Sequence, residues 1–245
     1  MKSLPNNPME AIRNLGEKKR NPDGLSEKDV KAVHPVYEFK PQQGKKEAIK
    51  VNFDALFVIH CQKMVENYQL NNVIRTLIGY FLADPDFDKY GCVRNECGGD
   101  LKKGLLIYGP VGIGKSMFFD ILNSMNDELY QRFQRHAFGF TKISAPWFVN
   151  HYMQNAKDKK KTGIDLDYYQ KHKLYIDDLG AEHLCFNQYE LLGDILFERH
   201  RHNATTYVTT NLTPTEIGER YGDRIGDRLV QMFNVIRWEG ESFRK

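Results

Sequence analysis

The sequence predicts an α/β protein: a parallel sheet of about five strands with helices on both faces, preceded by a helical segment and an N-terminal arm. Three observations predict it. From Gly104 onward short apolar runs alternate with amphipathic stretches, as strands joined by crossover helices do. One strand-to-helix junction is a glycine-rich loop ending in Lys115-Ser116. A later apolar run ends in adjacent carboxylates, Asp177 and Asp178.

Length and composition set the bounds. A chain of 245 residues holds one good-sized domain plus an appendage, or two small ones. With 41% hydrophobic and 27% charged residues it can bury a core and is not disordered throughout. No apolar run approaches the ~18 residues of a membrane helix. The N-terminus carries no apolar signal core, and 4 cysteines do not make a disulfide scaffold. A cytoplasmic globular protein is the expectation. A net charge of +3 does not by itself imply a nucleic-acid partner.

Residues 1–50 stand apart. Five prolines, lysine patches (Lys18-Lys19-Arg20 and Lys45-Lys46) and little apolar periodicity read as an arm, with one short helix over 9–15. It is a solubilising tail or a partner-docking arm. A helical linker over 51–100 follows. Asp54 is placed to cap a helix running to about residue 68, and Asn71 a second one. That second helix sets Ile74, Leu77, Ile78 and Phe81 on one face and stops at Asp84-Pro85.

The remaining domain, 101–245, is the sheet. Strands are predicted at 104–108, 138–143, 174–177, 206–210 and 234–238. Helices are predicted at 116–125, 146–155 and 189–199. Another opens at Thr213, where Pro214 and Glu216 complete a capping box, and a short one carries Arg224 and Arg228.

Gly109, Pro110, Val111, Gly112, Ile113, Gly114, Lys115 and Ser116 match the pattern G-x-x-x-x-G-K-[ST], between a buried strand and an amphipathic helix. Glycines let the loop wrap so that successive backbone N–H groups face a β-phosphate, helped by the helix dipole. Lys115 supplies a point charge to the β- and γ-phosphates, and the Ser116 hydroxyl is a ligand for Mg²⁺. The pattern therefore predicts binding of ATP with Mg²⁺. In Leu-Tyr-Ile-Asp177-Asp178, the carboxylates lie at the edge where open α/β sheets bind ligands. Asp177 would hold Mg²⁺, mainly through water, and Asp178 would orient the attacking water. Glutamate is common at the second position. The shorter Asp leaves room for a slow enzyme, or for help from Glu182.

Asn211 follows the strand Thr206–Thr210. At a tip between the phosphate-loop strand and the Asp177 strand, it can touch both γ-phosphate and water, with Thr210 as second candidate. An ordinary strand terminus is the equal alternative. Arg224 and Arg228 are four apart on one helical face. They are either solvated partners of Asp223 and Asp227 or an arginine finger reaching a neighbouring subunit's γ-phosphate.

The ordered series GPVGIGKS, LYIDDLG, TTNL and GDRIGDRL…GESFR resembles the AAA+ ATPases of the DnaC/IstB group, the replicative helicase loaders and transposition helpers of bacteria and phages. The resemblance runs from about Asn52 to the C-terminus. It implies the ASCE-type P-loop NTPase fold, slow ATP hydrolysis and a nucleotide at the interface of a homo-oligomer. It also implies DNA in the assembly, single-stranded or duplex, with single-stranded the expectation. It implies a helicase or transposase as partner. By the match Asn211 is the sensor, and Arg228, with Arg224 beside it, the finger. The sequence ends in GESFRK, so a full helical lid is not expected.

Weaker signals remain. Lys157, Lys159, Lys160 and Lys161 can neutralise nucleic-acid phosphates or form a solvated loop, and Tyr152, Tyr168 and Tyr169 can stack bases. The basic run from Arg199 to His202 reads as a solvated helix end. Cys92 and Cys97 have no second pair nearby to complete a zinc site, and Cys61 and Cys185 read as core. Rival functions are a small-molecule kinase, which needs an acceptor pocket and a mobile lid, and a scaffold that binds ATP without turning it over. A GTPase is disfavoured because no Asn-Lys-x-Asp follows a strand end.

Overall fold

A computed structural model describes residues 37–39, 49–64, 71–133, 138–157 and 163–242. The helix expected over 9–15, the lysine patches of the arm and Lys159–Lys161 lie outside the described residues. Two compact units emerge: 1–70 with 121–138, and 71–120 with 139–245.

In the first unit β1 (Tyr37–Phe39) and β2 (Ile49–Val51) pair antiparallel, Glu38 opposite Lys50. This ladder falls in the stretch read as an arm. Helix α1 (Phe53–Met64) begins one residue before the expected cap. Phe53 and Phe57 are buried, and Phe53 meets Phe138 edge-on at 4.9 Å. His60, also buried, binds Ser124 through Nδ1 and Glu128 through Nε2, each at 2.8 Å.

The second unit opens with α2 (Asn72–Phe81). As the sequence indicates, Asn71 caps it, its side chain accepting from the Ile74 N–H at 2.9 Å. The sheet comprises β3 (Gly104–Tyr108), β4 (Thr141–Ser144), β5 (Leu174–Leu179), β6 (Thr206–Thr210) and β7 (Phe233–Arg237). Its order is β4-β5-β6-β3-β7, every pair parallel. The connecting helices are α3 (Lys115–Phe133), α4 (Ala145–Lys157), α5 (Leu166–Lys171), α6 (Leu191–Arg201), α7 (Pro214–Tyr221) and α8 (Asp223–Met232).

The period of two along each strand sorts the core into two layers. Leu106, Leu174, Ile176 and Val208 join Phe148, Val149, Leu192, Ile195 and Leu196 on one face. Tyr175 and Tyr207 point the other way, into an aromatic layer with Phe81, Phe118, Phe119 and Phe140. There Phe119 stacks on Tyr175 at 3.8 Å. Rings of this kind bury roughly 150–250 Å² each and dominate the packing of the layer. Because Asp177 and Thr209 lie two residues after these tyrosines, both end up on the α3 side of the sheet.

Several bounds differ from the sequence reading. The helix expected over 116–125 continues to Phe133, since Leu129, four residues past Met125, is also buried. β4 is Thr141–Ser144 rather than 138–143. Ser144, expected to open the next helix, is the last strand residue. The expected helix over 189–199 is shifted two residues, and α5 has no counterpart in the sequence reading.

Candidate nucleotide site

The loop after β3 curls because Gly112 and Gly114 take φ of 85° and 98°. Gly109 is required for another reason. A Cβ there would lie 2.0 Å from the Trp238 carbonyl oxygen, which is held close because the Trp238 N–H donates to Tyr108 at 2.8 Å. β7 therefore buttresses the first glycine of the loop.

Lys115, only 5% exposed, turns back over that loop. Its Nζ donates to the carbonyls of Gly109 and Pro110, both at 2.7 Å, and to Asn211 Oδ1 at 2.8 Å. The sequence separated these side chains by 96 positions, and β6 lying directly beside β3 brings them together. Thr210, the second candidate at this tip, is buried. Its hydroxyl donates to the Leu179 carbonyl at 2.6 Å and accepts from the Leu212 N–H, so it fastens the turn.

Ser116, in the first turn of α3, donates to Asp177 Oδ1 at 2.6 Å. The same oxygen accepts from Thr209 Oγ1 at 2.7 Å and Tyr175 OH at 2.8 Å. Lys142 Nζ lies 3.7 Å from Oδ2 and also pairs with Asp120. Burial pushes the Asp177 carboxyl up. The hydroxyls of Ser116, Thr209 and Tyr175 and the Lys142 ammonium more than reverse this, holding it below its ordinary value. Burial, reinforced by the neighbouring Asp177 charge, raises the Tyr175 phenol well above its ordinary range, so it stays a donor. A serine hydroxyl beside an ionised carboxylate at a phosphate loop is a hard oxygen donor set, and it fits Mg²⁺.

Asp178 is exposed at the strand end in a left-handed conformation, φ 54°, its N–H 3.4 Å from Thr209 Oγ1. Glu182, the residue expected to assist it, is instead buried, at 4% exposure. Its carboxylate accepts from the Gly180 N–H at 2.9 Å and from Tyr221 OH, and pairs with Arg220. It is a structural anchor of the turn.

An open cleft of about 410 Å³ beside the loop is lined by Tyr108, Gly109, Pro110, Asn211, Thr213 and Arg237. Arg237, at the tip of β7, escaped the sequence reading and pairs with exposed Glu239 at 2.9 Å. Arg224 and Arg228 do not line this cleft. Arg224 is exposed, while the Arg228 guanidinium lies 4.5 Å from the centre of the Phe197 ring and donates to the Arg224 carbonyl at 3.2 Å. Neither pairs with Asp223 or Asp227.

Some weaker expectations are corrected. Tyr152 and Tyr169 are half-buried against the core, Tyr169 edge-on to Phe148. Exposed rings include Trp147, stacked on His151 at 4.6 Å, and Tyr168, stacked on His172 at 4.5 Å; Tyr130 and Phe186 are exposed elsewhere. Arg199 is fully buried, donating to Thr206 Oγ1 and to the carbonyls of Tyr169 and Thr205; burial pulls it down to about 10. Cys61 and Cys185 are buried as expected, and no described helix is long and apolar enough to cross a membrane.

A parallel sheet in which the phosphate-loop strand and the carboxylate strand flank a third strand tipped by Asn211 defines the P-loop NTPase fold of the AAA+ type. Several known structures are similar to this chain. One is a structure of DnaI, 25% identical over 58% of this chain and 73% of that one, TM-score 0.43. A putative primosome component from Streptococcus pyogenes serotype M3 is 23% identical over 70% and 80%, TM-score 0.46. The DnaC helicase loader is 21% identical over 70% and 94%, TM-score 0.45. No protein-family model and no curated protein matches the chain. At these scores the functional reading rests on the chemistry of the site.

Proposed function

We propose that the chain binds and hydrolyses ATP and acts as a replicative helicase loader on DNA, working as an oligomeric nucleotide switch. The observation that carries this reading is the pairing of Lys115 with Asn211 beside the Ser116–Asp177 pair. It sets a cation, a γ-phosphate sensor and a metal-ligand pair around one glycine loop. The loader assignment rests on the ordered motifs resembling that group.

On ATP binding, Lys115 exchanges loop carbonyls for β- and γ-phosphate oxygens, and the loop N–H groups hold the β-phosphate. Ser116 and Asp177 would hold Mg²⁺, which when bound supplies charge neutralisation across the β- and γ-oxygens. Asp177 is prepared for this by being ionised. Asp178 orients the water that attacks the γ-phosphorus, while Asn211 contacts both partners of that step. The bond to the β-bridging oxygen breaks, giving ADP and phosphate. Arg228, assisted by Arg224, enters the site of an adjacent copy and stabilises charge on the transferring phosphoryl group. DNA contact is assigned to the exposed Trp147 and Tyr168 rings on the helices flanking residues 158–162 in sequence, together with Lys159–Lys161. The N-terminal arm is assigned to the helicase.

The test is ATPase activity with and without single-stranded DNA across a range of protein concentrations. Specific activity should rise with both. Activity independent of dilution would remove the shared site, and activity indifferent to DNA would remove the loader role.

A further inference from the structure

The turn that carries Asp178 is fastened from two directions. From β6, Thr209 Oγ1 meets the Asp178 N–H at 3.4 Å and Thr210 Oγ1 donates to the Leu179 carbonyl at 2.6 Å. From the far end of α7, Arg220 reaches across 40 positions to donate through Nη1 to the Gly180 carbonyl, and through Nη2 to the Glu182 carbonyl at 2.5 Å. Its Nε donates to Glu190 Oε1 at 3.0 Å, so one guanidinium clamps both ends of the 180–190 loop. Buried Glu182 closes the turn on itself through the Gly180 N–H and accepts from Tyr221, the neighbour of Arg220.

The placement of α7 gives this clamp its meaning. Its cap, Thr213, lies two residues past Asn211, with the capping box fixing the entry: Thr213 N–H to Glu216 Oε2 is 2.7 Å. One rigid helix thus has the segment bearing Asn211 at its start and the clamp on the Asp178 turn at its end. Asp178 sits at φ 54°, a conformation a non-glycine residue keeps only when its surroundings impose it.

We infer that Arg220 is a positioning residue for hydrolysis: it holds the Asp178 turn in its water-orienting conformation and ties that turn to the helix that follows Asn211. The inference rests on the reading of the site as an ATPase. A planar guanidinium presents its donors in a fixed fork that spans these two carbonyls and the carboxylate, a geometry the compact ammonium of lysine does not reproduce.

The experiment compares Arg220→Lys and Arg220→Gln with wild type in the full chain. Displacing a water-orienting group by about an ångström costs about 10²-fold in kcat, and that fall is expected in both variants. Affinity for a fluorescent non-hydrolysable ATP analogue should stay within about twofold of wild type, the signature of a group acting only at the chemical step. ADP with aluminium fluoride, which mimics the state containing the attacking water, should bind more weakly, while ADP with beryllium fluoride binds normally. Merely structural glue would lower both complexes and the melting temperature together, and that result overturns the inference. So does unchanged kcat in a folded variant. If neither Arg220 variant folds, Glu190→Gln and Tyr221→Phe carry the same comparison, each loosening the clamp at one point. A wild-type chain without ATPase activity would sink the ATPase reading itself. An active wild type with active Arg220 variants would sink only the clamp.

Discussion

At the carboxyl edge of the sheet Lys115 touches Asn211 and Ser116 touches Asp177, whereas on α8 Arg224 is exposed and Arg228 rests on the Phe197 ring, away from the cleft. Both regions carry charge, and both follow directly from short motifs. The first is preorganised within one chain: strand order and helix start converge on one point, and the donors outnumber the penalty of burying Asp177. The second is a rigid platform that does not meet its own cleft. Ile225 and Leu229 anchor α8, with Arg224 exposed beside them and Arg228 laid on the Phe197 ring. Under the proposed switch, Arg228 would leave that ring to act on another copy.

The sharpest way to break this contrast is at its built side. Lys115→Ala should weaken ATP binding by at least about 10²-fold, because the ammonium's charge-assisted bonds to two phosphates go with it. A fluorescent-nucleotide titration showing retained tight binding would refute the cradle. Arg228→Ala should do the opposite, leaving ATP affinity near wild type while kcat falls by about 10³-fold, as removal of an arginine finger does. The remaining activity should no longer depend on protein concentration. Unchanged turnover would return Arg228 to being a cation resting on the Phe197 ring.

The same contrast shows how far sequence could go. The phosphate loop is legible because its spacing is its geometry. Glycines, lysine and serine need those positions whatever the rest of the chain does. Asp177 is legible because an apolar strand aims its end at a known edge. Thr209 and Tyr175 escape notice although the signal exists: each lies two residues before a named candidate, at a tip, on the period of a strand. Lys142 and Arg220 carry no such signal. Their partners are 22 to 40 positions away, and only strand order and helix packing reveal them. Arg199 misleads for the converse reason. A run of four basic residues reads as a wet helix end, yet its first member is fully buried against three acceptors. Short elements are hidden too. α5 buries no residue and spans less than two turns, so no apolar period marks it.

For the DNA contact proposed above, charge reversal at Lys159–Lys161 should lower the salt dependence of single-stranded DNA binding. Each phosphate that is no longer neutralised reduces the log–log slope by about 0.7 for a single strand. Trp147→Ala should weaken binding roughly tenfold without altering that slope, since stacking contributes about 1–3 kcal/mol per base and releases no counterions. If both variants change the slope equally, the assignment of Trp147 to stacking and of Lys159–Lys161 to phosphate neutralisation is wrong.

The smallest expected effect tests why the loop edge is preorganised at all. Thr209→Val keeps the strand and the volume but removes one of three hydroxyls from Asp177, a destabilisation of about 1 kcal/mol and a fall in melting temperature of roughly 2–4 °C. The pH dependence discriminates further. The folded carboxyl of Asp177 is depressed, so its contribution to stability is complete above the unfolded value near 3.9 and disappears as pH falls through the lower folded value. In wild type, urea unfolding should therefore show this part of the stability persisting down to about pH 4 and fading below it. With one donor gone the folded value moves up toward the unfolded one. The acid-linked part of the unfolding free energy then shrinks, and the difference between neutral and acidic pH narrows. Identical pH profiles for wild type and Thr209→Val would mean that the Thr209 hydroxyl does not contribute to the charge of Asp177. The ionised state of Asp177 would then rest on Ser116, Tyr175 and Lys142.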